Sequence, residues 1–226
     1  MPQNRHSEAG NVFMFILLGI VLFGALAFTI ARGFRSDTTS SISARQAELA
    51  ATDVLNYAQR MERAVNRLRR NGTSESDISF DDPALTGYNH TPAVADSDKV
   101  FNSSGGNIGY VAPAANSNDG TDWHFTGRTC IADLGTGATG CDSDADATNE
   151  ELIMVLNNVN QAVCEEINDS LNITGVPTDT GGGTSTNNYQ GSFADDTEII
   201  LAGGPFSTAC FSDGTNNHFY FVLLAR

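Results

Sequence analysis

Asp142, Asp144 and Asp146 alternate along one short stretch. Three carboxylates in one loop are hard oxygen ligands, the kind that suits Ca²⁺. The stretch departs from the EF-hand pattern. Ala147 stands where that loop turns on a glycine, and Ile153 stands where it uses a bidentate glutamate. The same acids have a plainer use, as solvated charges ahead of a helix N-terminus. Ca²⁺ is the one cofactor these residues suggest. Cys130, Cys141, Cys164 and Cys210 are an even number of cysteines without zinc-ligand spacing, which favours disulfides in an oxidising compartment. Three pairings are open. The expected one joins Cys130 to Cys141 across a Gly-rich loop and Cys164 to Cys210 between a helix and a late strand. His90, His124 and His218 are scattered, and lone histidines beside aromatics are more often structural than ligands. No nucleophile elbow, HExxH, P-loop or paired catalytic carboxylate motif is present, so no enzyme is expected. Asn-rich loops with Tyr110, Trp123, Tyr189 and Tyr220 are the residues a glycan site would use.

These residues sit in a chain of uneven charge. The formal net charge is −15 over 226 residues. Residues 11–70 carry eight arginines against Asp37, Glu48, Asp53 and Glu62, a net of +4. Residues 71–226 carry Lys99, Arg128 and Arg226 against 22 acids, a net of −19. The acidic part repels nucleic acid and anionic lipid, so no nucleic-acid partner is expected. The basic part is where an acidic partner, or the acidic part itself, can dock.

Val12–Ala31 carries no charge. As a helix at 1.5 Å per residue it covers about 30 Å, the thickness of a bilayer core. Gly19 and Gly24 let a second helix approach closely, as small residues do in membrane packing. Three fates are open. Ala25-Leu26-Ala27 fits a signal peptidase site. An uncleaved anchor followed by Arg32 and Arg35 would leave the acidic part in the cytoplasm. The third is cleavage of a short leader, Met1–Gly10, at Gly10-Asn11.

Ala44, Ala47, Ala51, Val54, Ala58, Met61, Val65 and Leu68 follow at alternating spacings of three and four, which predicts an amphipathic helix with a small-residue seam. The seam suits close packing on a sheet or a neighbouring helix. Arg69-Arg70-Asn71-Gly72 ends it, with cations at the negative helix end and a left-handed cap. A continuous helix from Val12 to Arg70 is about 88 Å long. The alternative is a break near Gly33-Phe34, with Ser36–Ser43 as a polar hinge.

In residues 71–226, Ile108–Val111, Asp122–Phe125, Glu198–Ala202, Phe206–Phe211 and His218–Ala225 read as strands. The last three are expected to form an antiparallel meander. Thr148-Asn149-Glu150-Glu151 reads as a capping box opening a helix to Ser170. The fold class expected is α+β. A long N-terminal helix, part membrane span and part amphipathic spine, packs on a small antiparallel sheet with one further helix. The segments expected are 1–10 (leader), 11–35 (transmembrane or assembly helix), 36–70 (stalk helix) and 71–226 (acidic extracytoplasmic head).

Residues 1–10, polar and ending in glycine before an apolar run, resemble a prepilin leader. The layout resembles a type IV pilin-like or minor pseudopilin-like subunit. Gly10-Asn11-Val12 is similar to the start of minor subunits from tight-adherence pili. The chain departs from the family at Phe15, where most pilins carry Glu, and this favours a minor or tip subunit. A VCEEIN segment and a C-terminal VLLAR also resemble alphaproteobacterial proteins of no known activity. The pilin resemblance implies a structural subunit of a pilus or pseudopilus, held in the inner membrane before assembly and displayed at the cell surface afterwards. Its partners would be copies of itself or related subunits, with the membrane contacted through the helix. The assembly surface implied is Val12, Phe13, Phe15, Ile16, Gly19, Ile20, Phe23, Gly24, Ala51, Val54, Ala58, Met61, Val65 and Leu68. The alternative function is an anchored or secreted, adhesin-like binding protein that forms no filament.

Overall fold

A computed structural model describes residues 9–135, 141 and 150–226, with the side chains of 9–13 and 24–42 outside the description. The chain divides into two compact units, Met1–Arg45 and Gln46–Arg226. Helix α1 (Ala9–Arg70) continues through Gly33 and through Ser36–Ser43, so the expected break is not there.

In the first unit, the apolar side chains described run from Met14 to Phe23. Ten residues cover about 15 Å of helix, half a bilayer core. Among the described residues no helix is long and apolar enough to cross a membrane. The expected span is corrected accordingly.

Among the described residues of the second unit, five strands form one mixed sheet in the order β3-β1-β2-β5-β4. They are β1 (His124–Ile131), β2 (Glu150–Leu156), β3 (Thr197–Ile199), β4 (Thr208–Ser212) and β5 (Asn217–Leu224). β1–β2, β2–β5 and β5–β4 pair antiparallel, and β3 lies parallel to β1. This corrects the fold class: a five-stranded mixed sheet dominates, not a small antiparallel one. The meander is half present. β4 and β5 form a hairpin, while β3 has crossed to the opposite edge. No strand forms at Ile108–Val111.

The largest local correction is at Glu150–Leu156, expected as helix and found as the central strand. All seven residues are buried. Leu152, Met154 and Leu156 face one buried cluster, and Ile153 and Val155 face another. A strand covered on both sides reads as an unbroken apolar run, and such a run also satisfies a helical template. Helix α2 (Gln161–Ser170) begins later and buries Val163, Cys164 and Ile167. Asn172 takes the left-handed position after it (φ 59°), where a glycine is more usual.

The second half of α1 supplies the wall of the larger cluster. Ala47, Ala51, Val54, Ala58, Met61, Val65 and Leu68 are all at most 5% exposed, together with Phe125, Met154 and Phe219 of the sheet. The alanines allow the helix and the sheet residues to share a tight core. The helix ends as expected: Gly72 has φ +96°, Gly72 N donates to Arg69 O at 3.1 Å and Thr73 N to Leu68 O at 3.1 Å.

The free edge of β4 is closed by one side chain and by backbone: Ser212 N donates to Pro177 O at 2.9 Å and Asp179 N to Ser212 O at 2.8 Å. Asn168, fully buried, accepts from Cys210 N at 2.9 Å and donates to Cys210 O at 2.8 Å. It thus occupies the outward backbone groups that an edge strand otherwise offers to another chain.

Candidate functional site

The sequence-derived candidates separate into four groups. The first is the apolar part of α1. Met14 to Phe23 has no inward face: Phe15, Ile16, Ile20 and Phe23 are 57–75% exposed, and even Leu17 is at 50%. A Cβ on Gly19 would meet nothing within 4 Å. The side chains of Val12, Phe13 and Gly24 lie outside the description, as do those of Gly10 and Asn11. The second group is the seam of Ala51, Val54, Ala58, Met61, Val65 and Leu68. These side chains are spent inside the second unit, at 0–2% exposure, and offer nothing to a neighbouring subunit.

The third group is the aromatic set. Trp123, Tyr189 and Tyr220 are buried and Tyr110 is half-buried. Their polar tips are occupied. Trp123 Nε1 donates to Val111 O at 3.0 Å, Tyr110 to Asp122 at 2.9 Å, Tyr189 to Glu75 O at 2.6 Å and Tyr220 to Phe206 O at 2.7 Å. Burial raises all three tyrosine hydroxyls above their ordinary pKa. These rings are core, not stacking platforms for a sugar. Gly127 shows how tightly they fit: a Cβ there would lie 2.8 Å from Tyr189 and 2.9 Å from Phe193.

The fourth group is the ionisable residues. Asp142, Asp144 and Asp146 lie outside the described residues. Among the described residues no three His, Cys, Asp or Glu gather as a metal site. The histidines go to separate places. His124 Nε2 meets Ser185 O at 2.9 Å, and burial lowers its pKa. His218 sits between Asn157 and Asp213, at 2.9 and 3.1 Å. His90 packs edge-on to Tyr189, and its pKa is also lowered by burial.

Both disulfides are formed. Cys130–Cys141 spans a Cα separation of 5.7 Å, and Cys164–Cys210 joins α2 to β4 across 5.3 Å. Among the described residues no cysteine is free.

Sequence reading missed two adjacent buried carboxyls, Glu150 at 2% exposure and Glu151. Glu151 is 0% exposed at the start of β2. One carboxylate oxygen accepts from Ile131 N at 2.8 Å, and the other has no hydrogen-bond partner. Desolvation raises its pKa from 4.5 to about 8, against the lowering effect of the Ile131 N–H. A carboxyl at the edge of an apolar run was the available signal, but the helical reading assigned it to a solvated cap.

Among the described residues, clefts open around the second unit. One of about 530 Å³ lies between Glu62 and Arg63 of α1 and Phe206, Thr208 and Phe221 of the β4–β5 side. One of about 290 Å³ lies between Asp53, Tyr57 and Arg60 and the Val111–Ala114 segment. One of about 360 Å³ is lined by Asp77, His90, Asp98 and Gln190. Comparison with protein-family models, with curated proteins and with solved structures finds no match to this chain.

Proposed function

We propose that this chain is a structural subunit of a pilus-like or pseudopilus-like surface assembly. Its N-terminal helix packs among copies of itself or related subunits, and its acidic disulfide-bonded unit is displayed outward. One observation carries the reading. Met14–Phe23 exposes large apolar side chains on every side of the helix, from 50% at Leu17 to 75% at Phe23. An isolated helix of that kind is unfavourable in water, and exposed apolar surface of this extent marks an interaction site. Neighbouring apolar helices can cover all sides at once, whereas a groove on one partner covers only one. The two disulfides support outward display, since such bonds persist in oxidising compartments.

The test is electron microscopy of the full chain after detergent removal, alongside sheared surface material from the source cells. Regular filaments, or the chain within filaments, support the reading. Only monomers or shapeless aggregates, with the chain absent from surface filaments, overturn it. Phe15→Asp combined with Leu22→Asp is expected to abolish ordered assembly and to leave unfolding of the second unit unchanged.

A further inference from the structure

The basic side chains of this protein fall into two sets. Beyond α1 each one is matched to an acid within the chain. Lys99 lies 3.2 Å from Asp81 and 3.1 Å from Asp96, Arg128 is 3.2 Å from Asp196, and Arg226 is 3.1 Å from Glu75. Arg69, in the last turn of α1, is 2.9 Å from the same Glu75. Arg60, Arg63, Arg67 and Arg70 behave otherwise. All four are exposed, and among the described residues none has an ion-pair partner. Arg60 instead lies over the Tyr57 ring, 5.3 Å from its centroid. Spacings of three, four and three place the four guanidinium groups along one helix face, opposite the stripe that enters the core.

A row of like charges on adjacent helix turns is mutually repulsive and costs a few tenths of a kcal/mol per pair unless an anion lies against it. The chain carries suitable anions in excess. Residues 71–226 hold 22 acids against three bases, and those bases are already engaged. Asp77, Asp169 and Asp195 are exposed and form no ion pair among the described residues. The cleft of about 530 Å³ beside Arg63 is lined by polar groups that include Gln59, Glu62 and Thr208, and adds half-buried Phe206 and Phe221 next to the positive row.

We infer that the Arg60, Arg63, Arg67 and Arg70 row docks the acidic surface of a second copy of this chain. The inference rests on the reading of the chain as an assembling subunit, and it names the surface that sets the order of neighbouring units. Charge complementarity selects the occupant. The patch and its complement are different surfaces of one molecule, so the contact is heterologous and propagates from copy to copy instead of closing as a two-fold dimer. Arginine suits it, because a planar fork bonds carboxylates in pairs. A nucleic acid or an anionic bilayer would have to bring its extended charge against a chain of net charge −15. An acidic patch on a folded neighbour engages within about one Debye length, ~10 Å.

The test uses the full chain. Equal amounts of isotopically labelled and unlabelled Arg67→Lys protein are mixed, treated with a carbodiimide that joins amines to carboxylates, and digested for mass spectrometry. The expected result is mixed-isotope cross-links from position 67 to acids of residues 71–226. In parallel, Arg63→Glu with Arg67→Glu is expected to weaken self-association at least about tenfold, as reversal of complementary charges does. Thermal unfolding of the second unit should stay as in the parent. Raising salt from about 0.05 to about 0.5 M should weaken the parent chain in the same direction. Association that persists unchanged in the reversed variant overturns the inference and leaves the assembly reading standing. The same holds if the cross-links stay within single copies. Binding of the parent to phosphatidylglycerol vesicles or duplex DNA, lost in the variant while self-association is intact, also overturns it. A parent chain that never associates at any salt defeats both readings.

Discussion

The two ends of α1 both carry apolar side chains, and these meet opposite fates. Between Met14 and Phe23 the apolar residues are continuous and at least 50% exposed. Between Ala47 and Leu68 the stripe of Ala47, Ala51, Val54, Ala58, Met61, Val65 and Leu68 recurs every three or four residues and is at most 5% exposed, while Leu49, off the stripe, is 66% exposed. The difference is periodicity. A stripe leaves a polar face for water, so the chain's own sheet can cover the apolar side completely. A helix that is apolar all round has no face to give to water and must find its cover outside its own fold.

Placing a charge in each stretch tests this contrast most severely. Met61→Asp puts an unpaired carboxylate at a site of 0% exposure and is expected to abolish cooperative unfolding of the second unit, measured by circular dichroism. Leu17→Asp is expected to leave that unfolding within about 0.5 kcal/mol of the parent. Similar losses at both sites would break the comparison.

Next in size are the cross-links that hold the second unit together. Replacing Cys164 and Cys210 by alanine opens a loop with a sequence separation of 46, which costs about 4 kcal/mol by chain entropy. The Cys130–Cys141 pair, with a separation of 11, costs about 3 kcal/mol by the same reasoning. Denaturant titration of the two double mutants should rank them in that order. Neither should alter association through Met14–Phe23.

The pH response sharpens the contrast further, because Met14–Phe23 contains no titratable side chain. Glu151 has its folded-state pKa raised from 4.5 to about 8 by burial. The folded chain therefore holds a proton that the unfolded chain releases. That contribution is complete below about pH 4.5 and is lost as pH rises toward 8, with a slope of at most roughly 1.4 kcal/mol per pH unit. Glu151→Gln is expected to flatten the profile in this window. A stability that rises with pH in the parent, with the same slope in the variant, would remove Glu151 from the account. The smallest loss expected within the second unit is that of Asn168→Ala, about 1–3 kcal/mol, from leaving both backbone groups of Cys210 without their partner. Hydrogen exchange at the β4 edge would register it.

Reading from sequence succeeded where one local rule decided the outcome. The Ala47–Leu68 part of the seam, the Asn71-Gly72 cap and the β4–β5 hairpin each follow from short-range pattern; Ala44, also expected in the seam, is exposed, and the choice among the three open cysteine pairings was made by the fold. It failed at Glu150–Leu156, because the apolar run of five, Leu152–Leu156, fits a buried strand as well as a helix. Two-sided burial, which distinguishes them, is a property of the neighbours. The aromatic residues failed as site candidates for a related reason. Tyr189 and Trp123 lie among Asn and Gly in the sequence, and only the packed chain shows that they point inward.

The sequence by itself determined the charge asymmetry, the alternation that buries one face of the second half of α1, and the supply of four cysteines for two bridges. These are sums and periods along the chain, and folding does not change them. Tertiary structure decided that β3 lies parallel to β1 on the edge opposite β4, and that Glu151 is sealed in the sheet. It also decided that the bases beyond α1 are neutralised while Arg60, Arg63, Arg67 and Arg70 are not. Each of those depends on which residues far apart in the chain become neighbours, and no local pattern carries that information.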